Sequence, residues 1–193
     1  IQKKLSLSCD KTTFLATLAS NDERMTAKSV GALDFLEDRQ HLFESQIKWI
    51  KFLIDEFKTR PNLQLIIRVH PREFPNKRES VTSQHAKDLS RELDNLPANV
   101  FVNWPSDEIS LYDLVQVIDV GLVATSTTGL QLATLGIPIG LHNISLLTGY
   151  TTDIGTALES TSEYRSFLDS AEDHQWSIAN VIAGLKWHSY LFN

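Results

Sequence analysis

The chain carries one cysteine, Cys9, and one methionine, Met25, in 193 residues. A single thiol excludes an internal disulfide framework and a cysteine-cluster zinc site. Positive charge is short as well: 18 Lys and Arg stand against 24 Asp and Glu, for a net charge of −6. A surface that grips nucleic-acid phosphates needs a basic face, so this balance argues against a nucleic-acid partner. No apolar run reaches the roughly 18 residues of a membrane span. The start, Ile1 to Asp10, has Lys3 and Lys4 but no apolar core behind them, so it lacks the pattern of a secretory signal. These absences read as a cytoplasmic chain. It begins with Ile, and it reads as a piece of something longer. Internal repeats and low-complexity segments are missing. So are the GxGxxG fingerprint, the phosphate-loop pattern ending in GK[ST], and the GxSxG nucleophile elbow.

What is present is ordinary for a folded domain: 42% hydrophobic and 22% charged residues. Short apolar runs alternate with longer periodic ones. Phe14 to Leu18 is a first strand-like run, followed by the polar Ser20-Asn21-Asp22-Glu23, and residues 22–33 read as loop around Gly31. Over residues 34–58 the pattern turns helical, with Phe43, Ile47, Ile50, Ile54 and Phe57 on one face. Leu63 to Val69 is a buried-strand candidate, residues 79–94 a polar helix, and Val100 to Val102 a third strand. Ser106 or Asp107 is the expected cap of a short helix over residues 109–117. A fourth strand spans residues 118–124. A helix follows from about Gly129 to Leu135 and is closed by Gly136, where a left-handed cap needs glycine. Residues 138–141 and 156–158 are further strand candidates. Helices over 161–170 and 174–188 end the chain, the second with Ile178, Val181, Ile182 and Leu185 as its apolar face.

This alternation predicts an α/β fold: a Rossmann-like, three-layer α/β/α domain on a parallel sheet of about five or six strands. Ligands of such sheets bind at the carboxyl ends of the strands, where the strand order reverses. The loops placed there are 20–24, 70–73, 103–108 and 124–129, and three of them carry candidate site residues. Ser126-Thr127-Thr128-Gly129 opens a helix, where unpaired N–H groups and hydroxyls attract anions; the simpler reading is a helix cap. Arg68-Val69-His70-Pro71-Arg72-Glu73 leaves the second strand. Arg68 and His70 share a face, Pro71 sets the exit direction, and a histidine there can donate to a phosphate oxygen. The simpler reading caps the sheet with His70 and pairs Arg68 with a carboxylate. In Ser20-Asn21-Asp22-Glu23, the two carboxylates can meet sugar hydroxyls or take a proton; otherwise the segment is a solvated turn. His142 follows the strand over 138–141 and can line the same cleft, though a lone histidine is more often structural, and no metal site is expected.

Taken together, the stretch from Ile66 to Glu73, then Asp119-Val120-Gly121-Leu122-Val123, then Ser126 through Pro138 resembles the bacterial capsule polysaccharide biosynthesis proteins. Those are GT-B-type glycosyltransferases, similar in pattern to capsule Kdo transferases and polysialyltransferases. The resemblance covers about residues 12–160. Its most specific part is Ser126-Thr127-Thr128-Gly129 leading at fixed distance to Gly136-Ile137-Pro138. It implies a single nucleotide-sugar-binding domain over residues 1–193, with helices from 160 onward. This would be the C-terminal, donor-binding half of an enzyme whose N-terminal acceptor domain lies outside the chain.

The resemblance further implies that His70, Ser126 and Thr127 hold the phosphate of a CMP-, CDP- or UDP-activated sugar. His70, Asp22 and Glu23 are the catalytic candidates. Ser20, Arg68, Pro71, Arg72, Glu73, Thr128, Gly129 and Gln131 are the accompanying binding candidates. The family often has Glu where this chain has Gln131, so the ribose contact expected there is uncharged. The resemblance calls for no cofactor and no metal. Its acceptor is a polysaccharide or glycolipid. Its setting is the cytoplasm, at the inner face of the membrane, through a peripheral contact or a capsule assembly complex. Two other functions stay open: half of a nucleotide-sugar 2-epimerase, and a catalytically degenerate interaction module.

Overall fold

The structure is a computed structural model that describes residues 1–21, 25–26, 29–31, 42–73, 82–124, 126–142 and 152–192. The chain begins with α1 (Gln2–Leu5) and then builds one sheet from β1 (Thr12–Thr17), β2 (Leu63–Arg68), β3 (Val100–Asn103), β4 (Val120–Val123), β5 (Ile139–Leu141) and β6 (Thr156–Ala157). Between and after these strands lie α2 (Gln46–Lys58), α3 (Gln84–Glu92), α4 (Leu111–Val115), α5 (Thr128–Thr134), α6 (Thr161–Asp169) and α7 (Ile178–Phe192). The six strands run in the order β3-β2-β1-β4-β5-β6, and each neighbouring pair is parallel. The expected Rossmann-like α/β/α fold is therefore the observed one.

The pleat divides the core into two layers, because successive side chains leave a strand on opposite faces. Phe14 and Ala16 of β1 join Leu65 and Ile67 of β2 on one side. They pack there against Trp49, Ile50, Leu53 and Phe57 of α2, Leu89 of α3, and Tyr164, Phe167 and Leu168 of α6. Leu15 and Ile66 face the other side, with Leu114 of α4 and Leu130, Leu132 and Ala133 of α5. Both faces are covered, so the strands are nearly continuous apolar runs, as a parallel sheet requires.

Several local expectations shift. Within residues 34–58 the described helix starts only at Gln46, because the Ser45 hydroxyl caps it by accepting from the Lys48 N–H at 3.2 Å. Its fully buried side chains are Trp49, Ile50, Leu53 and Phe57, so its core face lies one step round from the expected one. Residues 34–41 lie outside the described residues. The segment expected to be loop after residue 22 has helical backbone at Met25, Thr26 and Ser29. The cap expected at Ser106 or Asp107 belongs instead to Ser110. The Ser110 hydroxyl accepts from the Asp113 N–H (3.1 Å), and the Asp113 carboxylate accepts from the Ser110 N–H (2.9 Å). Asp107 is taken up by a separate 3-10 turn, Pro105–Asp107, where its carboxylate accepts from the Trp104 N–H at 2.7 Å.

The last helix departs furthest. α7 starts at Ile178, not 174, and Ile178, Ile182 and Leu185 of its expected apolar face are 60%, 49% and 55% exposed. The face turned inward carries Ala183, Gly184 and Trp187. A Cβ on Gly184 would lie 2.8 Å from the Thr134 backbone nitrogen, so α7 crosses α5 too closely for a side chain there. Apolar side chains occur all round this helix, so periodicity alone does not mark the packed face. Gly136 does end α5 as expected, at φ 78° in the left-handed region. No helix among the described residues is long and apolar enough to cross a membrane.

Candidate functional site

The strand order places the reversal point between β1 and β4. From β1 the chain moves outward through β2 and β3 on one side, then returns to lay down β4, β5 and β6 on the other. The crevice outside the carboxyl ends of β1 and β4 is thus the ligand site of this sheet type. Thr17, the last residue of β1, pairs in register with Arg68 of β2 and Val123 of β4. Arg68 and Val123 are therefore two strand spacings apart, about 10 Å.

The β1 exit is held rigidly. The Leu18 N–H donates to the Arg68 carbonyl (3.1 Å). The Gln46 side chain clamps Ala19 from both directions, accepting from its N–H at 2.8 Å and donating to its carbonyl at 3.3 Å. Ser20 is buried, and the Asn21 N–H donates to the buried carboxylate of Glu73. The solvated-turn reading therefore fails for Ser20 and Asn21, because the turn is tied to the loop after β2. Asp22 and Glu23 lie outside the described residues.

The β2 exit carries the second group. Val69 N–H donates to Asn103 O (3.0 Å), which keeps the chain extended past the strand. Pro71–Glu73 then forms a 3-10 turn, with Pro71 and Arg72 exposed. The Arg72 N–H donates to Nδ1 of His70 at 3.3 Å. A ring nitrogen that accepts has no proton, so in the neutral imidazole the proton is assigned to Nε2. His70 is half-buried at the carboxyl end of β2.

Arg68 decides the electrostatics. Its Nη1 donates to Asn103 Oδ1 (2.6 Å) and to the Ile109 carbonyl (2.8 Å). Both acceptors are neutral. Asp107 is reached only through Asn103, over 3.5 Å. The carboxylate partner expected in the simpler reading is absent among the described residues. Burial pushes the Arg68 pKa down, but a guanidinium starts so high that it stays charged. A half-buried cation is costly without an opposite charge, and among the described residues only dipoles meet it. Asn103 and Gln46 were not candidates from sequence. Asn103 had one usable signal, its place directly after a strand.

The β4 exit holds the hydroxyl group cluster. The Ser126 and Thr128 hydroxyls lie 2.8 Å apart, and the Thr128 N–H donates to Ser126 Oγ at 3.2 Å. Thr127 is the exposed first cap position of α5 and makes no side-chain capping bond. Gly129 is buried in the first turn, while Gln131 is exposed on the solvent side of the helix. Ser126 thus carries part of the capping work, and Thr127 does not.

His142, at the carboxyl end of β5, is buried in an aromatic nest. Its Nδ1 lies 2.7 Å from the Tyr164 hydroxyl, which also accepts from Trp49 Nε1–H at 3.1 Å. Its ring centroid is 4.6 Å from that of Trp49. The structural reading of this histidine fits. No group of three or more His, Cys, Asp or Glu residues able to hold a metal ion occurs among the described residues.

No protein-family model and no curated protein matches the chain. Solved structures do. The wall teichoic acid polymerase TagF superposes with a TM-score of 0.57 over 96% of this chain, at 14% identity. A histidine-to-asparagine variant of TagF superposes with a TM-score of 0.51 over 98%, also at 14% identity. The chain spans 40% and 46% of the lengths of those two structures, less than half. At such identity the likeness establishes the fold alone: a six-stranded parallel α/β domain of the Rossmann-like kind.

Proposed function

We propose that this chain is the donor-binding domain of a glycosyltransferase that takes a sugar from a CMP-, CDP- or UDP-activated donor, in bacterial capsule or surface polysaccharide synthesis. The observation that carries the reading is Arg68: a half-buried cation at the carboxyl end of β2, next to the strand at which the order reverses, whose hydrogen-bond partners among the described residues are neutral oxygens. An anionic ligand supplies the missing charge. The GT-B-type fold supports the same reading.

In this mechanism the bond between the anomeric carbon and the phosphate oxygen breaks, and its electron pair goes to the oxygen. Negative charge grows on the phosphate. Groups already oriented toward that charge lower the barrier without reorganising. In this reading Arg68, His70 and the hydroxyls of Ser126 and Thr127 supply those groups. Asp22 and Glu23 are expected to meet sugar hydroxyls or accept a proton. The base for the polysaccharide or glycolipid acceptor is expected in a further domain. No metal is required in this scheme, because protein donors hold the phosphate. The domain works at the cytoplasmic face of the membrane.

The test is calorimetry of the chain with CMP, CDP, UMP and UDP. Binding of at least one is expected, and His70→Ala should weaken it roughly 10- to 100-fold, the loss of one charge-assisted hydrogen bond. Absence of binding to all four nucleotides would refute the reading.

A further inference from the structure

We infer that Thr17 is a further ligand-positioning residue, whose hydroxyl hydrogen-bonds the anionic phosphate group received at the reversal point between β1 and β4. This assignment rests on the donor-binding reading above and adds a residue to it.

Thr17 is 2% exposed, and its Oγ1 has no hydrogen-bond partner among the described residues. Buried hydroxyls without a partner are uncommon in native proteins, and each calls for an explanation. Thr13, four residues earlier on the same face of β1, shows the ordinary case. It too is buried, and its Oγ1 accepts from Gln64 Nε2 at 2.7 Å. One strand therefore satisfies its threonine at the amino end of the sheet and leaves its threonine unsatisfied at the carboxyl end, where ligands enter.

The strand itself does not need this hydroxyl. Valine has nearly the same shape, suits a strand equally well, and leaves no polar atom buried. The pleat sets the direction. Phe14 and Ala16 face the α2 side, and Leu15 faces the α5 side, so Thr17 points with Leu15 toward α5. Its register partner on β2 is Arg68, which shares the parity of Ile66 and so the same face. A hydroxyl lacking a hydrogen bond and a guanidinium that meets no counter-charge among the described residues thus stand on paired residues of adjacent strands. One phosphate group satisfies both. Because Oγ1 is buried in this structure, the assignment requires the side chains that cover it to shift on binding.

The experiment compares the wild-type chain with Thr17→Val and Thr17→Ser, by calorimetry with CMP, CDP, UDP and inorganic phosphate, and by thermal melting without ligand. Thr17→Val is expected to melt at or above the wild-type temperature, since it removes an unpaired polar atom. It should weaken nucleotide binding roughly 3- to 10-fold, the range of a neutral hydrogen bond. Thr17→Ser restores the hydroxyl and should bind within about twofold of wild type, inside that same range. The inorganic phosphate arm tells recognition of the phosphate alone from recognition of a nucleotide-linked one. Wild-type binding with unchanged affinity in Thr17→Val overturns the assignment and leaves the donor-binding reading standing. A Thr17→Val variant that melts well below wild type also overturns it, because the hydroxyl then has a structural partner. If the wild type binds none of these ligands, both readings fall together.

Discussion

Replacing Arg68 by methionine removes the charge and all donors while keeping most of the side-chain volume. In the folded protein Asn103 Oδ1 and the Ile109 carbonyl then lose the donor that meets them at 2.6 and 2.8 Å. A fully buried acceptor left unpaired costs about 1–3 kcal/mol. Arg68 is only half-buried, so water can partly replace it, and a desolvated cation is also removed. The net loss of stability should be about 1 kcal/mol, or a fall of about 2–4 °C in Tm for a domain of this size. The effect on an anionic ligand should be larger. One charge-assisted contact contributes about 1.5–3 kcal/mol, so nucleotide affinity should drop roughly 10- to 100-fold. Arg68→Lys retains the charge but not the planar fork, and should lie between the two. Calorimetry at two salt concentrations completes the assay, because wild-type binding should weaken with ionic strength more than binding to Arg68→Met. A folded Arg68→Met protein that binds its nucleotide as tightly as wild type would show that Arg68 only braces β3 and the loop at Ile109.

Three further outcomes follow from the packing. Burial pushes the Tyr164 phenol well above its ordinary pKa near 10, so the unfolded chain releases that proton first as pH rises. Its contribution is fully present below about pH 10 and is lost above it. Melts between pH 8 and 11 should show this loss in wild type and its absence in Tyr164→Phe. At neutral pH that variant should be about 1–3 kcal/mol less stable, because Trp49 and His142 lose their shared partner. Gly184→Val should destabilise the chain by more than about 2 kcal/mol in a denaturant titration, since even a Cβ meets the α5 backbone there. Ser110→Ala should cost about 1 kcal/mol in the same titration, the usual loss for a helix cap.

Much of the fold was legible before any coordinates. Leu63 to Arg68 and Val120 to Val123 are contiguous apolar runs bounded by turn chemistry, and both became central parallel strands. Gly136 announced the end of α5 because only glycine suits its φ without strain. The His70 and Ser126 loops could be placed at strand carboxyl ends because each directly follows such a run. The misplaced features had a local competitor. Asp107 resembled a helix cap but was consumed by its own 3-10 turn, three residues before Ser110. α7 has apolar residues on every side, so which side packs depended on the small residues facing α5.

By itself the sequence determined the element types, the parallel α/β class and the loops that carry polar residues, because these depend on periodicity and turn chemistry within a few residues. Only the tertiary structure decided the strand order that opens a crevice between β1 and β4. It alone showed that Arg68 meets Asn103 and Ile109 in place of a carboxylate, across separations of 35 and 41 residues. It alone left the Thr17 hydroxyl without a partner among the described residues. Those facts are set by which distant strands pair and by what their pleats bring face to face, and no local pattern encodes that.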